Sequence, residues 1–152
     1  MPPIQKMHKR DIEALEDLFP DTTEGQFEAD YLEQLQDIRT VLVAIEKDEE
    51  GERTYFGYAT IRWTSNYTEF WRRNIPEIVD LQVAEPYRRQ GIGAALVAAC
   101  ETLVREKGYT ILGTSIKQND ADATCFYSEL GYVLPDFGTV LHDQTVPLIK
   151  SL

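Results

Sequence analysis

Over the first forty positions apolar residues recur every three to four places. Ile12, Leu15, Leu18 and Phe19 space a helix over residues 9–19 that Pro20 closes, and Phe27, Tyr31, Leu32, Leu35 and Ile38 space a second over residues 27–38, with acids on its other face. A short alternating stretch at residues 4–8 precedes them. The period then changes. Residues 40–46 are a β-branched apolar run, residues 47–53 a charged turn containing Gly51, and residues 55–63 a second run, which together predict a hairpin. Residues 64–76 are polar and aromatic without a clear period and read as a long loop. Residues 77–83 predict a strand with Pro86 at its exit. From Ile92 onward apolar residues fall at 92, 96, 99 and 103, widened by Val97, Cys100 and Val104: a long helix buried on a broad face, stopped by Gly108. Residues 110–116 predict a strand. Ala123, Phe126, Tyr127 and Leu130 stripe a short helix closed by Gly131, and residues 132–134, 138–141 and 145–149 end the chain as strands. The order β-α-α-β-β-β-α-β-α-β-β predicts a mixed α/β sandwich without internal repeats.

With 152 residues, 43% of them hydrophobic, the chain suits one domain over residues 1–152 with a single core. The longest uncharged run around the most apolar segment, residues 90–100, is too short to cross a bilayer, and the first residues lack the apolar stretch of a secretory signal. A cytoplasmic protein is expected. Charge refines this picture. The formal charge of −11 argues against nucleic-acid binding, which needs a basic face, and favours a cationic partner. Residues 1–54 carry 6 basic and 15 acidic groups, residues 55–152 carry 9 and 11, so the second half can accommodate an anion. Cys100 and Cys125 lack metal-ligand spacing and read as buried reduced thiols, and His8 and His142 have no partners at ligand spacing, so no metal site is predicted.

The segment richest in chemistry runs from Asp80 to Ala94, where a strand enters a basic, glycine-containing loop that opens the long helix. Amides at a helix start carry partial positive charge and lack intrahelical partners, and glycine lets a phosphate approach the main chain. Arg88 and Arg89 add full charges. The common nucleotide fingerprints do not fit. A dinucleotide loop would place glycine where Leu96 stands, and a Walker loop would place Lys-Ser/Thr where Ala94-Ala95 stands.

Arg88-Arg89-Gln90-Gly91-Ile92-Gly93 resembles the Gln/Arg-x-x-Gly-x-Gly/Ala signature of the GNAT-type N-acetyltransferases, and the resemblance extends over the order of most elements. It implies a GNAT-like α+β fold, a mostly antiparallel sheet flanked by helices, with acetyl-coenzyme A as the acyl donor. By position it assigns the pyrophosphate to the loop amides of Arg89, Gln90, Gly91, Ile92, Gly93 and Ala94, with Arg88 beside them. The pantetheine arm falls to the main chain of Leu81, Gln82 and Val83. The stretch from Asp120 through Ala123, Phe126 and Tyr127 to Gly131 and Tyr132 is similar to a second family pattern, a short helix with a tyrosine near the thioester sulfur. The family's asparagine is replaced there by Asp120, beside Asn119, and an ionised carboxylate accepts but does not donate a hydrogen bond.

Amine acetylation needs a base for an ammonium of pKa about 10.4 and benefits from an acid for a thiolate of pKa about 8.5. The resemblance gives Tyr127 as the acid, against a purely packing role on its stripe, and Asp80 as the base, with Glu77, Glu69 or water as rivals. Tyr67, Phe70 and Trp71 precede the signature strand and are candidate substrate walls or an aromatic cover for the core. Two other classes compete: a non-catalytic acyl-coenzyme A sensor of the same fold, and an acyltransferase using Cys125 as nucleophile, for which no base partner is identifiable. A homodimer through the late strands is compatible with the pattern, and the acceptor amine itself is left open between polyamine, antibiotic and peptide.

Overall fold

The computed structural model describes residues 1–137 and 143–152. Among them lie six strands and five α-helices: β1 (Ile4–Lys6), α1 (Ile12–Leu18), α2 (Gln26–Leu35), β2 (Arg39–Lys47), β3 (Arg53–Arg62), α3 (Thr68–Arg72), β4 (Glu77–Val83), α4 (Ile92–Glu106), β5 (Ile111–Lys117), α5 (Ala121–Glu129) and β6 (Thr145–Ser151). Single 3-10 turns precede α1, at Lys9–Asp11, and follow β4, at Glu85–Tyr87. The strands are hydrogen-bonded in the order β1-β2-β3-β4-β5-β6. The β1–β2 and β5–β6 ladders are antiparallel and β4–β5 is parallel, so the sheet is mixed, as the family resemblance implied.

The chain packs into two compact units, Met1–Ile61 with Asp80–Cys100, and Arg62–Val79 with Glu101–Leu152. In the first, the apolar faces of α1 and α2 meet β1–β3 in a core of Leu15, Phe19, Phe27, Val41, Val43 and Tyr58. Tyr58 is gripped edge-on by Phe19 at 5.1 Å and by Phe27 at 5.0 Å. In the second, Tyr67, Phe70 and Ile75 form the centre, and β5 is zipped to β6 over seven positions from Ile111↔Ser151 to Lys117↔Thr145.

Four departures from the pattern have physical reasons. The second helix stops at Leu35, short of Ile38, because Asp37 turns left-handed (φ 60°). The Ile38 amide then bonds Glu33 O at 3.0 Å and the Asp37 amide bonds Gln34 O at 3.1 Å, closing a Schellman end. Inside the expected loop at residues 64–76 sits α3, a five-residue helix too short to show a period, ended in the same way by left-handed Asn74 with Ile75 N on Phe70 O at 2.9 Å. The expected strand at residues 132–134 reduces to one bridge, Val133↔Ile149, and Val133 and Leu134 are exposed. Of the two thiols read as buried, Cys100 is buried but Cys125 is exposed, on the outer face of α5. The strand expected at residues 138–141, and His142, lie outside the described residues. No helix among the described residues is long and apolar enough to cross a membrane.

Candidate active site

The signature loop belongs to the first unit. After β4 the chain makes its 3-10 turn and passes through two left-handed residues, Arg89 (φ 64°) and Gly91 (φ 83°), before α4 begins at Ile92. Ile92 is buried and anchors the helix start, whereas Arg88, Arg89, Gln90 and Gly91 are exposed. The first bond of the helical ladder runs from Ala95 N to Gly91 O at 3.0 Å, so the amides of Gly91, Ile92, Gly93 and Ala94 precede any intrahelical partner. The first turn carries no acidic residue to neutralise them. Arg88 reaches back, donating from Nε to Val83 O at 2.9 Å, and so fixes the loop to the end of β4.

On β4, the edge shared with β3 is tight. Ala84 N bonds Phe56 O at 2.8 Å, and a Cβ on Gly57 would lie 2.5 Å from Gln82 O. Within this unit the opposite edge of Leu81, Gln82 and Val83 carries no strand, which leaves main-chain donors and acceptors for an extended ligand. In the second unit, the parallel ladder of β4 with β5 spans two pairs, Glu77↔Gly113 and Ile78↔Thr114. A run of amides without intrahelical partners after an open strand edge fits a diphosphate joined to an extended amide-bearing arm, as coenzyme A is.

Asp80 lies half-buried on β4. Burial is the largest influence on its carboxyl and pushes its pKa up, the negative charge of Asp30 adds to this, and Arg39 opposes it. Its charge, after burial itself, also raises the Tyr58 hydroxyl, which accepts Gln82 Nε2 at 2.9 Å. The sequence pattern missed Asp30, Arg39 and Tyr58, because each looks like an ordinary helix-face or strand residue until the fold brings them together.

The rivals to Asp80 belong to the second unit and are committed elsewhere. Both oxygens of buried Glu77 accept hydroxyls, from Ser65 at 2.5 Å and from Ser115 at 2.6 Å. Glu69 pairs with Arg73 and with Arg72 at 3.4 Å, and the bond from Arg73 holds its carboxyl below the usual range.

In the same unit, Asp120 caps α5, its Oδ1 accepting the Ala123 amide at 3.0 Å, and Asn119 beside it is exposed. Tyr127 is 6% exposed, with its ring edge-on to Phe126 at 5.0 Å and to Tyr132 at 5.4 Å. The three aromatic residues ahead of β4 separate. Phe70 is fully buried against Gly113, where an added Cβ would lie 2.6 Å from its ring, so it packs rather than forming a wall. Tyr67 is buried beside it, and Trp71 is 61% exposed. Cys125 donates to Glu129 Oε1 at 3.6 Å, and the Glu129 charge pushes its thiol up, the wrong direction for a nucleophile.

No curated protein sequence matches the chain. Solved structures do. A PaiA N-acetyltransferase from Thermoplasma acidophilum in complex with coenzyme A superposes with a TM-score of 0.69 at 15% identity, covering 99% of this chain and 98% of that one. Ard1 from Thermoplasma volcanium gives 0.71 at 18%, covering 99% and 97%, and a ribosomal-protein-alanine N-acetyltransferase from Brucella melitensis gives 0.70 at 23%, covering 99% of each. At identities this low the superpositions establish a shared fold alone. The model of the acetyltransferase (GNAT) family matches residues 7–132, the greater part of the sequence. With the glycine loop, the strand that feeds it and the helix that follows all inside that match, the chain belongs to the GNAT family of acetyltransferases, whose acyl donor is acetyl-coenzyme A.

Proposed function

We propose that residues 1–152 form one N-acetyltransferase domain that moves an acetyl group from acetyl-coenzyme A to the primary amine of a small cationic acceptor, by direct attack of the amine on the thioester. The observation that carries this reading is the acid-free start of α4, whose first amides lack intrahelical partners, reached through left-handed Arg89 and Gly91 directly after β4. Structural neighbours that are N-acetyltransferases, one of them in complex with coenzyme A, support it. The formal charge of −11, concentrated in residues 1–54, favours a cationic acceptor through long-range attraction. Free thiols at Cys100 and Cys125 accord with a reducing, cytoplasmic setting. A homodimer would use β6, the last strand in the sheet order.

In this reading the amides from Arg89 to Ala94 hold the diphosphate, Arg88 braces the loop, and the main chain of Leu81, Gln82 and Val83 holds the pantetheine arm. Asn119 supplies the amide contact that Asp120, committed to its cap, does not. Bound acetyl-coenzyme A supplies an activated thioester. Asp80 removes a proton from the acceptor's ammonium, and its raised proton affinity brings it closer to that task than an ordinary aspartate. Tyr127 donates to the departing sulfur. Trp71 is the exposed aromatic surface for the acceptor.

Turnover on a panel of mono- and polyamines tests the reading. Asp80→Asn is expected to lower kcat by about 10²–10⁴-fold with the Kd for coenzyme A unchanged, and Tyr127→Phe to lower kcat without changing that Kd. Near-normal turnover in either variant removes that residue from the mechanism. Tight coenzyme A binding with no transfer to any amine would instead make the protein a sensor.

A further inference from the structure

Within electrostatic reach of Asp80 lies a charge cluster that the mechanism above does not use. Phe27 and Asp30 stand one turn apart on α2, and Phe27 packs edge-on against Tyr58 at 5.0 Å. The Tyr58 hydroxyl meets Gln82 at 2.9 Å, and strand alternation puts Gln82 on the same face of β4 as Asp80. Asp30 itself is 1% exposed, and its charge acts on both Tyr58 and Asp80. Its Oδ1 accepts Gln26 Nε2 at 2.7 Å and lies 3.2 Å from Arg39 Nη1. Its Oδ2 is buried without a hydrogen-bond partner among the described residues. The rest of the Arg39 fork is spent on Glu33, Nη2 at 3.0 Å and Nε at 3.2 Å.

One guanidinium therefore serves two carboxylates, and Asp80 brings a third to the same neighbourhood. A structural ion pair would balance its charges and satisfy both oxygens, since a buried acceptor without a donor destabilises the fold. This cluster does neither. We propose that Asp30 is a positioning residue for acyl transfer: pinned by Gln26 and Arg39, it supplies a fixed, buried negative charge within electrostatic reach of Asp80 that draws in the acceptor's ammonium and favours passage of its proton to Asp80. The inference rests on the reading of Asp80 as the proton acceptor. In that step an N–H bond of the ammonium breaks, the proton joins an Asp80 oxygen, and the freed lone pair stays on nitrogen for the attack. Asp30 exchanges no proton with the acceptor.

The charged and titratable groups involved are Asp30 and Glu33 from α2, Arg39 from β2, Tyr58 from β3 and Asp80 itself from β4. Asp30 and Arg39 act on Asp80 in opposite senses, Asp30 raising its pKa and Arg39 lowering it. A carboxyl-carbon NMR titration of the full chain reads this without any turnover. In the wild type, Asp80 and Asp30 are expected to titrate as a coupled pair. Asp30→Asn should move the Asp80 midpoint down by roughly half to one pH unit, and Arg39→Gln should move it up. The acidic limb of kcat/KM against pH should shift with it, and KM for the amine should rise in Asp30→Asn. An Asp80 midpoint unmoved in both folded variants, and uncoupled in the wild type, overturns the role of Asp30 while leaving Asp80 as base intact. A midpoint that moves while Asp80→Asn turns over normally overturns both the inference and the reading beneath it. Should Asp30→Asn not fold, the wild-type titration and Arg39→Gln decide the matter.

Discussion

Gly57 has no room for a side chain. A methyl group there would press on Gln82 O at 2.5 Å and on the Val83 Cα at 3.1 Å, both main-chain atoms that cannot swing aside. Gly57→Ala is therefore expected to destabilise the protein by about 1–3 kcal/mol in urea unfolding and to disturb the part of β4 given to the pantetheine arm. In the second unit the buried Tyr132 hydroxyl donates to Glu101 Oε2 at 2.9 Å, and Lys150 approaches the same oxygen at 3.1 Å. Tyr132→Phe removes the hydroxyl donor and should lower unfolding stability by about 1–2 kcal/mol with coenzyme A affinity unchanged. Cys125→Ala should keep full turnover, because the thiol beside Glu129 is held in its protonated form. These constraints were illegible in the sequence for one reason: Gly57 and Asp30 are defined by neighbours on other elements. The turn before α4 was legible because glycine and arginine ahead of a helix form a local pattern, and left-handed Gly91 and the helix start at Ile92 lie where that pattern puts them.

The elements divide along the same line. The long apolar stripe of α4, the β-branched apolar run of β2 and the charged turn between β2 and β3 are local signals, and each element formed where its pattern predicted it. By contrast α3 is held by Phe70 packing on Gly113, a contact that no five-residue window can announce. The start of α4 owes its shape to Gly91. An added Cβ would find room, 3.4 Å from Met1 Cε, so the objection to a side chain is the left-handed φ of 83°. Gly91→Ala should cost about 1 kcal/mol of stability by reshaping the loop, and under the proposed function coenzyme A affinity should fall, because a methyl group would stand in the path given there to the diphosphate. Unchanged affinity in this variant would place the diphosphate elsewhere.

Taken as a whole the protein is acidic, and two consequences follow from that charge and its burial. With a cationic acceptor, kcat/KM should fall as ionic strength rises, whereas a neutral amine should show little dependence. The pKa values of Asp30 and Asp80 are both raised above their unfolded values, mainly by burial, so each binds a proton more tightly in the folded state than in the unfolded one. Their cost to folding is fully present above the folded pKa values. It is relieved as pH falls through them toward the ordinary aspartate value of 3.8, so the pair makes the protein more stable in that acidic window than at neutral pH, and the double Asn variant should lose this part of the pH dependence in urea titrations.

All of this depends on the turn after β4 presenting its amides to a diphosphate. Titration calorimetry of coenzyme A into the folded wild-type chain should give saturable one-to-one binding that weakens with salt and drops at least about tenfold when Arg89→Ala and Gly91→Ala are combined. A well-folded wild type that binds neither coenzyme A nor acetyl-coenzyme A would contradict the account.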